Sequence, residues 1–428
     1  MPDHDVVVVG ANVAGSITAA LLAQHGASVV LIEKSPDPAH HKALCTHEVI
    51  PLANPVFERL GVLEELQEIG GAHGVAQMWS RYGWVSPQPR EGDVLDGVNV
   101  RRSVLDPLLR SVAERQSGVE LRRGETVTDL LRDAAGRPAG VRTRGLDGAE
   151  RELTARVVVG ADGAASPVAE MAGIERDVRP HNRFGYAGYF EGVAPIQDAT
   201  GARASRIWWL EPDMAYAFPT DADLTLIAVA PLRTPERIAA FKADLDGEFR
   251  RTVAALPVAP DLSEARQVDK YRGLVKTENV RRTPGLPGIA LVGDAAQVTD
   301  FVWGAGCGFA AASAEWAADA IGPLLAAGAP DAEIDAALGG YARRHRRTLG
   351  PHYDMITSYS TGRAMNMGER LLFRGATRDA EVARALSLIG GRTMHPMRAL
   401  SPRVLARAAV ASARAGRAPR RSQEARIA

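Results

Sequence analysis

The stretch Val6-Val7-Val8-Val9-Gly10-Ala11-Asn12-Val13-Ala14-Gly15 decides how the chain begins to fold. Asp5–Val9 is a β-branched run without polar alternation, the pattern of a strand buried on both faces. Ala14–His25 has the pattern of a helix closed by Gly26, and Ser28–Ile32 reads as a second buried strand. Strand, helix and strand within about thirty residues make a parallel βαβ unit. Gly10 permits the tight turn, and Gly15 lets helix and strand approach closely. The helix start, at Asn12, Val13 and Ala14, offers free N–H groups and a positive dipole to a pyrophosphate. Glu33 ends the second strand, followed by Lys34, at the distance where an acid accepts hydrogen bonds from a ribose. Asn12 replaces the middle Gly of such turns, and Asn tolerates left-handed backbone better than most residues.

Working outward, Pro51–Ile69 has helical spacing, Met78–Val85 reads as a short strand, and Val104–Gln116 reads as a helix with Ser103 as N-cap. Val119–Leu121, Gly140–Thr143 and Val157–Val159 read as strands. The texture changes near Arg179. Arg183–Glu191, Ser205–Leu210, Met214–Pro219 and Leu224–Ala230 are short aromatic and β-branched runs between Gly, Pro and Asp turns, as in an antiparallel sheet. Ile238–Leu256 reads as one helix. Ile289–Val292 returns to a buried strand, Phe309–Ala326 is a long helix, and the chain is helical beyond Asp331. The expected fold is α/β: a Rossmann-like nucleotide domain with a parallel sheet, an inserted antiparallel-sheet substrate domain and C-terminal helices. The nucleotide domain is expected in three parts, 1–70, 99–178 and 268–330, with an excursion of the substrate domain at 71–98 and its main part at 179–267. A helical region at 331–414 and a disordered tail at 415–428 complete the division.

Lys plus Arg equals Asp plus Glu, 51 against 51, so the surplus of base that marks a nucleic-acid protein is missing. Two cysteines, Cys45 and Cys307, make no disulfide framework and suit a reducing compartment. The N-terminus lacks the pattern of a signal peptide. The most apolar helical run carries Glu315 and Asp319, which disfavours a membrane span. A cytoplasmic protein without membrane partner is expected.

Two later strand-turn motifs narrow the reading. Val157-Val158-Val159 runs into Gly160-Ala161-Asp162-Gly163, and Ile289-Ala290-Leu291-Val292 into Gly293-Asp294-Ala295-Ala296. Either alone could be a plain turn. In this order after the first motif, they resemble the para-hydroxybenzoate hydroxylase-like flavoprotein superfamily, which includes aromatic hydroxylases, geranylgeranyl reductases and flavin halogenases. The resemblance spans about Asp5 to Ala327. It continues loosely through Tyr341-Ala-Arg-Arg-His-Arg-Arg and Gly362-Arg363, which look like bacterial tailoring oxygenases.

The resemblance implies FAD as cofactor. It places Gly10, Asn12, Val13, Ala14 and Gly15 at the pyrophosphate, Glu33 and Lys34 at the adenosine ribose, and Arg102 at the phosphates, with Arg101 as the competing choice. It puts Asp162 and Gly163 near FAD and NAD(P)H, and Gly293 and Asp294 at the ribitol chain. The glycine-rich run Trp303-Gly304-Ala305-Gly306-Cys307-Gly308 would cradle the isoalloxazine ring against a helix N-terminus. Relatives often carry His where Gln297 stands and Pro where Val302 or Trp303 stands.

Cys307 packs as a small residue at least as readily as it serves as a thiol, and the same holds for Cys45. His47 is a candidate proton shuttle near the flavin edge or a structural histidine; with His40 and His41 it makes no metal pattern. Tyr186, Trp208, Tyr216 and Phe218 are candidate walls of a pocket for a small, flat, apolar substrate, or plain core. The expected reaction is oxygenation: NAD(P)H reduces FAD, and a C4a-hydroperoxide formed with O2 transfers oxygen to an aromatic or polyketide-like molecule. A double-bond reductase of the geranylgeranyl-reductase type is the alternative. A halogenase lacks its Trp-x-Trp-x-Ile-Pro element here, and a non-enzymatic FAD binder would need no aromatic chamber.

Overall fold

The computed structural model describes residues 2–45, 48–70, 73–74, 76–197, 201 and 203–415. His47 and the tail at 416–428 lie outside the described residues.

His4–Val9 is the central strand of the first sheet because its valines face apolar layers on both sides: Val6, Val7 and Val8 are fully buried. It pairs in parallel with Val29–Glu33 on one side and Glu150–Gly160 on the other, with Val6 opposite Val29 and Val157. Val119–Arg123 and Ile289–Leu291 extend the parallel set outward. Glu125–Arg132 and Pro138–Gly145 form an antiparallel flap on the early part of Glu150–Gly160. One face of the sheet is covered by Val13–Gln24, flanked by Arg102–Glu114 and the alanine-rich Ala305–Ala326. Val13–Gln24 is apolar nearly all round, as a helix sandwiched between a sheet and two other helices must be.

The second sheet is mostly antiparallel, in the order Arg266–Gln267, Gly185–Glu191, Thr225–Ala230, Met214–Pro219, Arg206–Trp209, Gln77–Ser80, Gly83–Val85. The hairpin at 77–85 pairs in parallel with Arg206–Trp209, so it belongs to the same sheet as the strands at 185–230. Register sorts the side chains. Tyr186, Val229, Ala215 and Trp208 lie in one row and pack under the helices Pro235–Ala243 and Leu245–Ala254. Tyr216, Phe218, Met214 and Trp209 point the other way.

Several boundaries differ from expectation. Pro51–Ile69 is broken into Pro51–Ala53, Asn54–Arg59 and Leu63–Ile69, because Gly61 adopts a positive φ of 70°. Met78–Val85 is a hairpin that reverses at Arg81–Tyr82. Ile238–Leu256 splits at Asp244, whose side chain caps the second helix at the Gly247 N–H. Ser103 is not an N-cap: the helix starts at Arg102, with Arg101 in the cap position.

The two sheets are joined by buried charge. His181 Nε2 and Arg183 Nε lie 3.3 and 3.4 Å from the carboxylate of Asp300, and all three side chains are buried. Arg183 also donates to the carbonyls of Pro212 and Tyr359, so it ties the second sheet, the glycine-rich loop and the C-terminal helices together. Removing one member of a buried ion pair typically costs about 3–5 kcal/mol. Arg183→Met is expected to lower the unfolding free energy by that amount in urea titration; a loss below about 1 kcal/mol would show that Asp300 is satisfied without it.

Candidate functional site

The turn after the first strand leaves no room for side chains. Gly10 has φ of 100°, and a Cβ there would sit 2.5 Å from the Ala161 carbonyl oxygen. A Cβ on Gly15 would sit 1.8 Å from the Gly10 oxygen. The helix Val13–Gln24 begins with no side-chain cap and no acid in its first turn, so its leading N–H groups face outward undiverted. Glu33 is buried and accepts from the Ala11 N–H at 3.0 Å and the Ser35 N–H at 2.9 Å. Its carboxylate thus stands beside the glycine turn, and each oxygen keeps a further lone pair for a hydroxyl. Lys34 follows it on the exposed side.

The helix Arg102–Glu114 contributes a buried stripe at i, i+4 spacing: Arg102, Asp106 and Arg110. Arg102 forms a bidentate pair with Asp106, at 2.6 and 2.9 Å. Arg101 instead turns to Asp221 of the second sheet, 2.7 Å away. The structure therefore sends Arg102 inward and Arg101 to the domain junction. Arg110 escaped the sequence reading. It donates to the carbonyls of Ala11, Pro38 and His40 at 3.1, 2.7 and 2.8 Å and straps the 38–40 segment across the turn. The regular spacing of Arg102, Asp106 and Arg110 through an otherwise apolar helix face was the available signal.

Gly293 and Asp294 form a 3-10 turn against the start of the first helix; a Cβ on Gly293 would lie 2.9 Å from that of Ala14. Asp294 Oδ2 is 2.7 Å from Lys42 Nζ, and this carboxylate raises the lysine pKa. Gly304, with φ of 58°, caps the long helix, which starts at Ala305 and not Phe309, so Gly306 and Gly308 lie in its first turn. Gly306 is open to solvent, with only Asp294 within 3.9 Å of its absent Cβ, whereas Gly308 is filled by Ile50. Asp162 accepts from Ser166 Oγ at 2.7 Å and the Val168 N–H at 2.8 Å, so its carboxylate builds its own turn; burial raises its pKa. Gly163, φ 83°, stands in open space beside it.

Two uncapped helix N-termini thus meet the same Gly293–Asp294 turn, one through Ala14 and one through Gly306. An extended ligand carrying a diphosphate, a hydroxylated linker and a flat anionic ring fits that donor set. Cys45 and Cys307, 262 positions apart in sequence, come together here with sulfurs 4.0 Å apart.

The face of the second sheet bearing Tyr216, Phe218 and Met214 turns away from its own helices and packs through Met214 on Val302, next to the glycine-rich run. Those rings stack at 4.7 Å, and Met214 and Ala230 pack on Val302. Trp303 meets Trp209 edge-on at 5.0 Å, and Trp209 in turn meets Tyr359 and Phe373, each at 4.8 Å. Tyr186 and Trp208 were expected as pocket walls. The structure corrects both: Tyr186 stacks on Phe241, and Trp208 is fully buried against the helix layer. Trp209, next in sequence and therefore on the opposite face, takes the place expected for Trp208. A cleft of about 500 Å³ opens nearby between His41, Arg101, Ser103, Tyr189 and Arg272.

A Rossmann-type cradle and an attached aromatic sheet define a nucleotide-dependent flavoprotein. Residues 3–338 match the FAD binding domain family, and the chain belongs to that family and is an FAD-dependent oxidoreductase. It is 28% identical to kynurenine 3-monooxygenase of Salinispora arenicola, over 97% of this chain and 91% of that one. It is 27% identical to digeranylgeranylglycerophospholipid reductase of Methanosarcina acetivorans, over 82% and 83%. Among solved structures it resembles the myxobacterial chondrochloren halogenase CndH, with a TM-score of 0.72 at 23% identity over 98% of both chains, a likeness of fold. Among the described residues no helix is long and apolar enough to cross a membrane.

Two predictions follow from the site's acids. Glu33→Ala and Asp294→Ala should each weaken FAD binding roughly tenfold to a hundredfold, the loss of a hydrogen bond to a charged group. Fluorescence titration of the apoprotein measures this, and unchanged affinity in both variants would remove these acids from the cradle. Glu48, at the edge of the aromatic region, has its carboxyl pKa pushed up to about 7 by burial, with Arg392 opposing. Because the folded value exceeds the unfolded one, its contribution is intact below about pH 4.5 and is lost as pH rises through 7. Glu48→Gln should remove that decline, worth at most about 3 kcal/mol at pH 8. Parallel melting curves of both proteins from pH 5 to 8 would expose the idea as wrong.

Proposed function

We propose that the protein is a monooxygenase that uses FAD, NAD(P)H and O2 to oxygenate a small, largely apolar aromatic or polyketide-like molecule in secondary metabolism. The observation that carries this reading is the cluster of Trp209, Trp303, Tyr359 and Phe373, whose rings pack on one another beside the glycine-rich loop. Bound FAD would supply hydride acceptance from NAD(P)H and the activation of O2. The chain's own residues hold, orient and shield. Gly10, the helix start at Val13 and Glu33 would anchor the nucleotide end; Asp294 would hold the ribitol chain.

The first-turn N–H groups at Ala305–Gly308 would stabilise negative charge on the reduced ring, since they lie at a positive helix end with no competing side chain. Gly306 would leave that ring unobstructed. Tyr216, Phe218 and Trp303 would press a flat substrate toward it and exclude water, which favours transfer over wasteful decay. Within this reading His47 remains a candidate proton shuttle, and Asp162 and Gly163 contribute a turn beside the cofactor. NAD(P)H would dock transiently at the surface.

The reductase reading draws on the 27% identity with the archaeal digeranylgeranylglycerophospholipid reductase. Turnover with NAD(P)H under 18O2 decides: product carrying one 18O is expected. Product that gains two hydrogens and no 18O, formed equally well without air, would overturn the oxygenase assignment.

A further inference from the structure

Arg392 combines three unusual properties. It lies just after the helix Ala380–Gly390 with φ of 61°, the left-handed position at a helix end where glycine is the ordinary occupant. Two glycines, Gly390 and Gly391, directly precede it, yet the strained position carries the arginine. Its side chain is 4% exposed, and among the described residues Nε and Nη2 have no hydrogen-bond partner. Only Nη1 is engaged, on the Ile389 carbonyl at 3.0 Å. The open pair Nε and Nη2 is the edge of a guanidinium that grips a carboxylate with two parallel hydrogen bonds.

Polar groups without partners surround it. The guanidinium carbon lies 5.3 Å from the Trp303 ring centre, so it hangs over the glycine-rich loop. The indole Nε1 of Trp303 and Nδ1 of His352 are likewise buried without partners. His352 is held neutral, with a pKa near 3, by burial and then by the Arg392 charge. Among the described residues Arg392 forms no ion pair, and Glu48 acts on it only through space. Burial pulls the Arg392 pKa down to about 10 with Glu48 opposing, and a buried guanidinium with two donors unmade is costly to keep.

We propose that Arg392 binds the carboxylate of an aromatic substrate, whose ring lies against Trp303 beside the glycine-rich loop. This names the substrate class for the oxygenase reading above and rests on it.

The test is calorimetric titration of the FAD-loaded protein with matched acids and amides: anthranilate and anthranilamide, 2-naphthoate and 2-naphthamide, indole-3-acetate and indole-3-acetamide. At least one acid is expected to bind about tenfold or more tighter than its amide. Arg392→Met should erase that preference and leave amide binding in place, and Arg392→Lys should keep part of it. Arg392→Gly relieves the left-handed strain and the unpaired charge, so it should melt no lower than the parent while losing the preference; a structural arginine would melt lower. This variant also answers if Arg392→Met fails to fold. The proposal is overturned if no acid is preferred over its amide, or if the preference survives in Arg392→Met or Arg392→Gly. An enzyme that prefers acids but inserts no 18O would sink the oxygenase reading and leave Arg392 in its role.

Discussion

Everything else in the molecule hangs on a backbone contact too close for side chains. The Gly10 turn touches the Ala161 carbonyl on one side and the first-helix backbone at Gly15 on the other, at distances no Cβ could share. This pins three strand ends and one helix start to a common point. Four valines drive the central strand into the middle of the sheet, and the burial is worth roughly 1.5–3 kcal/mol for each such side chain. The turn then fixes where that strand delivers its helix. Gly293 repeats the constraint from the far end of the chain, pressing on Ala14. A site assembled from residues 10, 33, 102 and 294 is rigid because its glycines admit one packing only.

The inserted sheet obeys a different constraint. It must turn one face to its own helices and the other to the glycine-rich loop, so it is buried on both sides, and Met214–Pro219 and Thr225–Ala230 are buried throughout. Apolar contact alone would let such a sheet slide. The Arg183, His181 and Asp300 cluster makes the docking specific, since only one placement brings these buried polar groups together.

The βαβ unit, the three-motif order and the inserted sheet were legible because glycine turns and valine runs are local signals. Which face of the sheet held the pocket was not. Tyr186 and Tyr216, or Trp208 and Trp209, differ only in strand parity, and parity becomes meaningful once register with distant strands is known. The breaks at Gly61 and Asp244 were hidden because helical periodicity continues across them. Arg110 and the meeting of Cys45 with Cys307 depend on segments that converge only in the fold. Arg392 carried a faint signal, an arginine following two glycines at a helix end, but its value lay in burial that sequence does not reveal.

The distribution of satisfied polar groups separates the two halves of the site. On the nucleotide side, the charged groups Glu33, Arg102, Asp106 and Arg110 are each hydrogen-bonded within the protein, although Asn12 Oδ1 in the turn is buried without a partner. On the side facing the C-terminal helices, Trp303, His352 and Arg392 hold buried atoms without protein partners. Unmade hydrogen bonds of that kind are costly, and proteins keep them where a ligand completes them. The charged groups proposed to hold the cofactor are therefore fixed by the fold, and the polar groups proposed to meet the substrate are left incomplete by it. Such a division lets one platform serve different reactions, because changing what completes the second half needs no change in the first.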